Sequence, residues 1–325
     1  MRVSLPSGRW ARVFGIMVSD KKGNPMPDIS LRFHKDMLVL SAPLSAVLAR
    51  QGVDTTRDLE YLNLVEPEAV HDALRLESLA GAQCLVTNTE GITPARLVHQ
   101  GAEDNLDVLA CAALRTAREL KPQHLLVEIG PCGLPLDGSS AASLNENRDQ
   151  YARAARAFAE GEFDAFLLSG FTRITDLKCA LMGVGQVSDR PVFASVEVGL
   201  DGLLIDGRTS LEEAVALMEE FGASVVGFAT GAPPKQAATL AKRACATGHV
   251  PVFTQLRVAI HAPKQGEATM ENPYYCPDTM VEAAVFLRAA GVQFLRAIGE
   301  ATPAYTGALA ATTEGFDVAR SVEEV

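Results

Sequence analysis

Eight short apolar runs, nearly all separated by helix-length segments, constrain this chain more than any other feature. They lie at Met37–Ser41, Gln83–Thr87, His124–Gly130, Asp164–Ser169, Val192–Val198, Ser224–Ala229, Val252–Val258 and Val292–Ile298. Antiparallel strands can be joined by a tight turn, but parallel strands need a long crossover, usually a helix. The alternation therefore predicts parallel strands, and eight units in succession predict a closed α/β architecture, a (β/α)8 TIM barrel. An open doubly wound sheet competes with it. Such a sheet more often carries G-x-G-x-x-G after its first strand, and Ser41-Ala42-Pro43-Leu44-Ser45 stands there instead.

The intervening segments read as amphipathic helices. In Ser210–Phe221 the residues Leu211, Ala214, Val215 and Met218 fall on one face, while Glu212, Glu213, Glu219 and Glu220 stay largely outside it. Ser210 with Glu213 predicts a capping box, and Gly222 a stop. Asp278–Ala290 repeats the pattern with Asp278 as an acidic cap and Gly291 as terminator, and Pro233 and Pro234 suit the first turn of a helix over Lys235–Thr247. No linker-like shift in composition interrupts residues 37–325, so they are expected to form one barrel. Residues 1–36 differ: Arg9–Val18 reads as a strand, Ser19–Asp28 is turn-rich, and Ile29–Phe33 alternates apolar and polar. A hairpin or short cap beneath the barrel is the expectation.

Apolar residues make up 48% of the 325 and charged residues 21%, the balance of a globular protein. No apolar run approaches the roughly 20 residues needed to span a bilayer, and the patch at Val13–Val18 is too short for a secretory signal. A cytoplasmic protein is the expectation. A net charge of −11 argues against broad affinity for nucleic acid or an anionic membrane. None of the six cysteines (84, 111, 132, 179, 245 and 276) forms a C-x-x-C pair, so neither a zinc ribbon nor a thioredoxin-type site is indicated.

In such barrels the carboxyl ends of the strands form the active face. Strand two ends in Thr87-Asn88-Thr89-Glu90, strand three in Gly130-Pro131-Cys132-Gly133, strand four in Ser169-Gly170 and strand six in Ala229-Thr230-Gly231. Strand five offers Glu197 and Asp201, strand seven Arg257 with His261 beyond it, and strand eight Gly299-Glu300. The candidate acids and bases are Glu90, Glu197, Glu300 and His261, since a carboxyl buried enough to titrate near neutrality exchanges protons efficiently. For any one of the three glutamates the favoured reading is a surface carboxylate or one paired with Arg173, Arg257 or Arg296. Thr87, Asn88, Thr89, Ser169, Thr230 and Arg257 are the candidate substrate-binding residues; for Asn88 a local turn bond competes equally. His261, Cys132 and Cys276 have the chemistry of a zinc or cobalt site, but lie on two separate loops, and a buried thiol and a solvated histidine are the favoured reading.

The segment Leu79-Ala80-Gly81-Ala82-Gln83-Cys84-Leu85-Val86-Thr87-Asn88-Thr89 resembles the second-strand signature of the homocysteine S-methyltransferase family, which includes the homocysteine domain of cobalamin-dependent methionine synthase. Pro67-Glu68-Ala69-Val70 matches that family's helix start, Ala95-Arg96-Leu97 approximates its Asn-Arg-Ile/Leu element, and Gly130-Pro131-x-Gly133 its third-strand turn. Asp201-Gly202 and Asp206-Gly207-Arg208-Thr209 match the fifth-strand loop, so the resemblance covers about residues 37–310 in order. It implies a (β/α)8 barrel and methyl transfer.

Where that family works, this chain departs from it. The family's Gly-x-Asn-Cys after strand six reads Gly227-Phe228-Ala229-Thr230 here. Its Gly-Gly-Cys-Cys-Gly-Thr-Thr-Pro after strand eight reads Arg296-Ala297-Ile298-Gly299-Glu300-Ala301-Thr302-Pro303, so Ile298 and Gly299 replace two metal cysteines. Asp-Gly-Ala-Met-Gly-Thr of the first strand becomes Ser41-Ala42-Pro43-Leu44-Ser45-Ala46, and the acid expected to hold the substrate's ammonium aligns with Ser169. A coordinated thiol is deprotonated, which is how zinc activates homocysteine. Without the three thiolates zinc is not expected here. The resemblance then implies methyl or one-carbon transfer to or from another small molecule, with a corrinoid (methylcobalamin) protein as a compatible partner and a homo-oligomer also compatible. A non-catalytic binding paralogue, or a lyase or hydrolase on the same barrel, are the alternatives.

Overall fold

The computed structural model describes residues 28–55, 59–98, 101, 105–259 and 268–319. Eight parallel strands close in sequence order into a barrel, β1 pairing with β8 through Leu38↔Phe294, Val39↔Leu295 and Leu40↔Arg296. Strand β1 spans Leu38–Leu40 and is followed by helix α1 (Ser45–Arg50), α2 (Leu62–Val65) and α3 (Pro67–Leu79). Then come β2 (Cys84–Val86), α4 (Pro94–Leu97), α5 (Leu106–Glu119), β3 (His124–Ile129) and α6 (Ala141–Arg156). Next are β4 (Ala165–Phe171), α7 (Ile174–Gly185), β5 (Val192–Glu197), α8 (Leu211–Glu220), β6 (Val225–Thr230) and α9 (Pro234–Thr247). The chain continues through β7 (Val252–Val258), α10 (Asp278–Ala289), β8 (Phe294–Gly299) and α11 (Pro303–Thr313). Every apolar run named from the sequence carries one strand.

Local chemistry sets the helix limits. The Ser210 hydroxyl accepts from Glu213 N–H while the Glu213 carboxylate accepts from Ser210 N–H, completing the expected capping box. Pro234 stands at the first turn of α9, where its missing N–H costs nothing. Before α10 the cap position belongs to Pro277, with Asp278 one residue inside the first turn. There its charge still favours the positive end of the helix.

The barrel holds two cores. One packs strands against the surrounding helices. The other fills the lower barrel, where Leu38, Leu40, Cys84, Val86, Leu126, Leu167, Phe193, Phe253 and Phe294 pack together with Ile29 from beneath. Phe33 adds an aromatic lid to that floor, its ring 6.2 Å from Phe193 and 6.1 Å from Phe294. The segment Ile29–Arg32 is a 3-10 turn rather than a strand, because Asp28 accepts from Ser30 N–H and starts it. Both conformations present Ile29 and Phe33 to the barrel, which is why alternation alone misassigns it. The strand and turn read over residues 9–27 lie outside the described residues.

Candidate active site

Side chains alternate along a strand, so the residues two positions beyond the floor share the barrel's interior. These are Glu128 on β3, Ser169 on β4, Ser195 on β5, Gln255 on β7 and Arg296 on β8. They form one connected polar layer. Arg296 donates to both oxygens of Glu128, at 2.6 and 2.9 Å, and through Nε to the Ser41 carbonyl at 2.8 Å. Ser169 donates to Glu128 at 2.5 Å, and Gln255 donates to Ser195 at 2.9 Å while its carbonyl faces Arg296 at 3.4 Å. Arg296 is 1% exposed, so this charge is compensated by geometry instead of water.

Above this layer lies the mouth. Glu197 and Arg257 pair there at 2.5 Å, placing two of the predicted residues against each other. Across the mouth, Glu90 follows β2 in a cleft of about 440 Å³ lined also by Arg96, Pro131, Cys132, Leu134 and Gly170. Gly130 makes room for it: a Cβ there would sit 2.7 Å from Glu90 Cγ, and Gly130 N–H donates to the Glu90 carbonyl at 2.7 Å. Protein walls surround the Glu90 carboxyl although about half of its side chain, 52%, remains open to solvent toward the mouth. Desolvation by those walls, followed by the charges of Glu128 and Glu60, raises its pKa to about 7, with Arg96 and Arg296 acting in the opposite direction. Arg96 Nη1 stands 3.6 Å from Glu90 Oε1, an ion pair too long for a hydrogen bond.

The remaining predicted residues divide by what their polar atoms already hold. The hydroxyls of Thr87 and Thr89 share a 2.6 Å hydrogen bond, and Thr89 donates to the Glu128 carbonyl, so both stitch β2 to β3. Asn88 donates to the Leu59 carbonyl at 2.7 Å and thereby holds the connection after β1, a bond across 29 residues rather than the local turn bond weighed against ligand binding. Ser169 is committed to Glu128, and Thr230, 2% exposed, accepts from Ala232 N–H. Glu300 is exposed at the rim after β8. His261 lies outside the described residues. Cys132 is buried against Asn147, burial pushing its thiol pKa up. Among the described residues no group of three or more His, Cys, Asp or Glu side chains could hold a metal.

Sequence reasoning passed over Glu128 altogether. It was counted inside an apolar run, yet it sits in phase with Leu126, and a charge at an interior position near a strand's carboxyl end was the available signal. Arg296 was named only as a partner for other carboxylates.

The closed parallel barrel, with its titratable groups gathered at the carboxyl ends of the strands, defines a (β/α)8 protein whose chemistry belongs at that face. The family model for homocysteine S-methyltransferase matches residues 38–305, and the chain belongs to that family. It is 26% identical over 266 residues to the methionine synthase of Mycobacterium tuberculosis, covering 78% of this chain and 22% of the relative. Identity to the methionine synthase of Mycobacterium leprae is also 26% over 266 residues. The chain thus spans about a fifth of the length of the curated relatives it matches. In fold it is similar to the metallated form of the homocysteine methyltransferase MmuM from Escherichia coli, with a TM-score of 0.70 at 16% identity, covering 85% of this chain and 96% of that one.

The positions that the resemblance assigns to the family's metal do not fit zinc. Zinc needs thiolate, imidazole or carboxylate donors. Thr230 offers a hydroxyl already engaged by the backbone, and Ile298 offers hydrocarbon. Gly299 offers nothing and has no space for more: its φ is +73°, and a Cβ would lie 2.5 Å from the Val258 carbonyl oxygen. Such a backbone is reserved for glycine.

Proposed function

We propose that this protein is a one-carbon-transfer enzyme of its family that acts on a small molecule other than zinc-activated homocysteine, with Glu90 as the acid that manages the substrate's proton. The observation that carries this reading is the place of the Glu90 carboxyl in the mouth cleft beside Arg96; the rise of its pKa to about 7 suits proton exchange at physiological pH. When a methyl ether or methylamine is the donor, its methyl–heteroatom bond breaks toward an external nucleophile. The bonding pair stays on the heteroatom, which takes the proton from Glu90. The resemblance to corrinoid-using relatives supports a corrinoid protein as that nucleophile's carrier. Glu197 and Arg257, closed into a pair opposite Glu90, then form the substrate-facing wall, and Glu300 the outer rim.

Methyl transfer between a panel of O-, N- and S-methyl compounds and free cob(I)alamin, followed by the absorbance of the methyl–cobalt product, tests the reading. Turnover with at least one donor, lost in Glu90→Gln, is the expected result. Zinc-dependent methylation of homocysteine would overturn it. So would silence with every donor combined with full cellular function of Glu90→Gln, which would favour the binding paralogue. One observation speaks for that second reading: Arg296 and Glu128 fill the barrel axis with a buried pair whose carboxylate already accepts three hydrogen bonds.

A further inference from the structure

The arginines around the mouth are not equivalent. Arg296 is bound to Glu128 and Arg257 to Glu197, each through hydrogen bonds of 2.9 Å or less. Arg96, on the short helix α4, makes only a 3.6 Å ion pair with Glu90 in the same cleft and donates no hydrogen bond to a carboxylate among the described residues. The other lining groups used here, Pro131, Leu134 and Ala95, are apolar, and the Cys132 thiol is turned to Asn147. Arg96 and Glu90 are therefore the two ionisable side chains, beside the buried thiol, that a bound molecule meets.

We propose that this cleft binds a small organic carboxylate lacking an α-ammonium group, with the carboxylate on the Arg96 guanidinium and the reacting end beside Glu90. The proposal rests on the reading of Glu90 as the working acid and names the substrate class of that site. A guanidinium recognises a carboxylate through paired, charge-assisted hydrogen bonds. An ammonium finds no second acid: Ser169, at the position the resemblance gives to the ammonium-binding acid, spends its hydroxyl on Glu128. The pairing also arms Glu90. Four charged groups face it: Glu60 from the 3-10 turn before α2, Glu128 from β3, Arg96 from α4 and Arg296 from β8. Arg96 is the larger of the two that favour its ionised form. A ligand carboxylate neutralises that guanidinium, so Glu90 takes up a proton as the ligand arrives.

Isothermal titration of the full chain at pH 8, in buffers of differing ionisation enthalpy, reads affinity and proton uptake without any turnover. The probes are 4-mercaptobutyrate, L-homocysteine, which differs from it by the α-ammonium, and inorganic phosphate. The expected result is binding of 4-mercaptobutyrate at least roughly tenfold tighter than of homocysteine, the scale of one charge-assisted contact. Proton uptake should accompany it. Arg96→Gln should weaken 4-mercaptobutyrate roughly tenfold or more, while Glu90→Gln, which removes the carboxylate 3.6 Å from Arg96, should bind it at least as tightly as wild type and abolish the uptake. Equal or tighter homocysteine binding, tighter phosphate binding, or unchanged affinity in a folded Arg96→Gln would each overturn the proposal. Because binding is read directly, a silent transfer assay with intact carboxylate binding would sink the transfer reading alone.

Discussion

Arg296 and Glu128 meet across the barrel axis from strands β8 and β3, joined by two hydrogen bonds of 2.6 and 2.9 Å. Where the resemblance places the first glycine of a metal-binding turn, this chain carries a guanidinium, and the far wall carries its counter-ion. The pair fixes the layer on which the mouth rests, and its removal is the most direct test of that role.

Truncating one partner leaves the other charge buried without compensation. Arg296→Met or Glu128→Leu is expected to destabilise the fold by about 3–5 kcal/mol. Arg296→Met combined with Glu128→Leu should cost less than either single change, because neither charge then remains. Denaturant unfolding of the three variants measures this, and additive losses would contradict the pairing.

The raised pKa of Glu90 makes stability depend on pH with a definite sign. Between its ordinary value of 4.5 and about 7, the folded state holds a proton that the unfolded state has released. The contribution is therefore fully present below pH 4.5 and fades as pH rises toward 7. Wild-type Tm should fall across that window relative to Glu90→Gln; parallel profiles would show that Glu90 titrates normally.

Arg96 opposes this shift, so Arg96→Gln should raise the Glu90 pKa further. If Glu90 works as an acid, the falling limb of the pH–rate profile near pH 7 moves to higher pH in this variant. A limb that stays in place would remove Glu90 as its source.

Gly299→Ala should cost about 1–3 kcal/mol from backbone conformation alone, with the collision against Val258 added. Thr230→Cys, Ile298→Cys and Gly299→Cys together should fail to give stoichiometric zinc by elemental analysis after dialysis. Full zinc loading of a folded triple variant would show that the turn yields easily.

Glu77 on α3 is fully buried, accepts from Ala42 N–H and Thr306 Oγ1, and leaves its other oxygen without a partner. Burial raises its pKa, so it too weakens the fold as pH rises. Glu77→Gln should be within about 1 kcal/mol of wild type at pH 5, the scale of one hydrogen-bond exchange. At pH 8 it should be relatively more stable. Equal differences at both values, read by urea unfolding, would remove Glu77 from the pH dependence.

The barrel was legible because its signals are local: apolar runs, helix caps and glycine stops each act within a few residues. Ser210 and Glu213 announced α8 three positions apart. The polar layer was not legible, because Glu128 and Arg296 are 168 residues apart and their opposition depends on ring closure. Thr87 and Asn88 looked like ligand groups at a strand end; the Thr87 hydroxyl is shared with Thr89 and the Glu128 N–H, and the Asn88 amide nitrogen reaches the distant Leu59 carbonyl, partners that spacing cannot reveal. Glu197 and Arg257, 60 residues apart, were candidates, with Arg257 one of three arginines a glutamate could pair with; only the register of β5, β6 and β7 selects this pair.

The conformation of Gly299 bears on descent as well as on chemistry. A lost side chain can return through one codon, but a carbonyl 2.5 Å from where a Cβ would stand cannot be moved that way. The main chain must first leave the left-handed region, and the Val258 backbone must shift, before a thiolate there has any use. Each of those steps is unfavourable alone. The difference from the metal-binding pattern is therefore written in the backbone, and exchanging single side chains does not remove it.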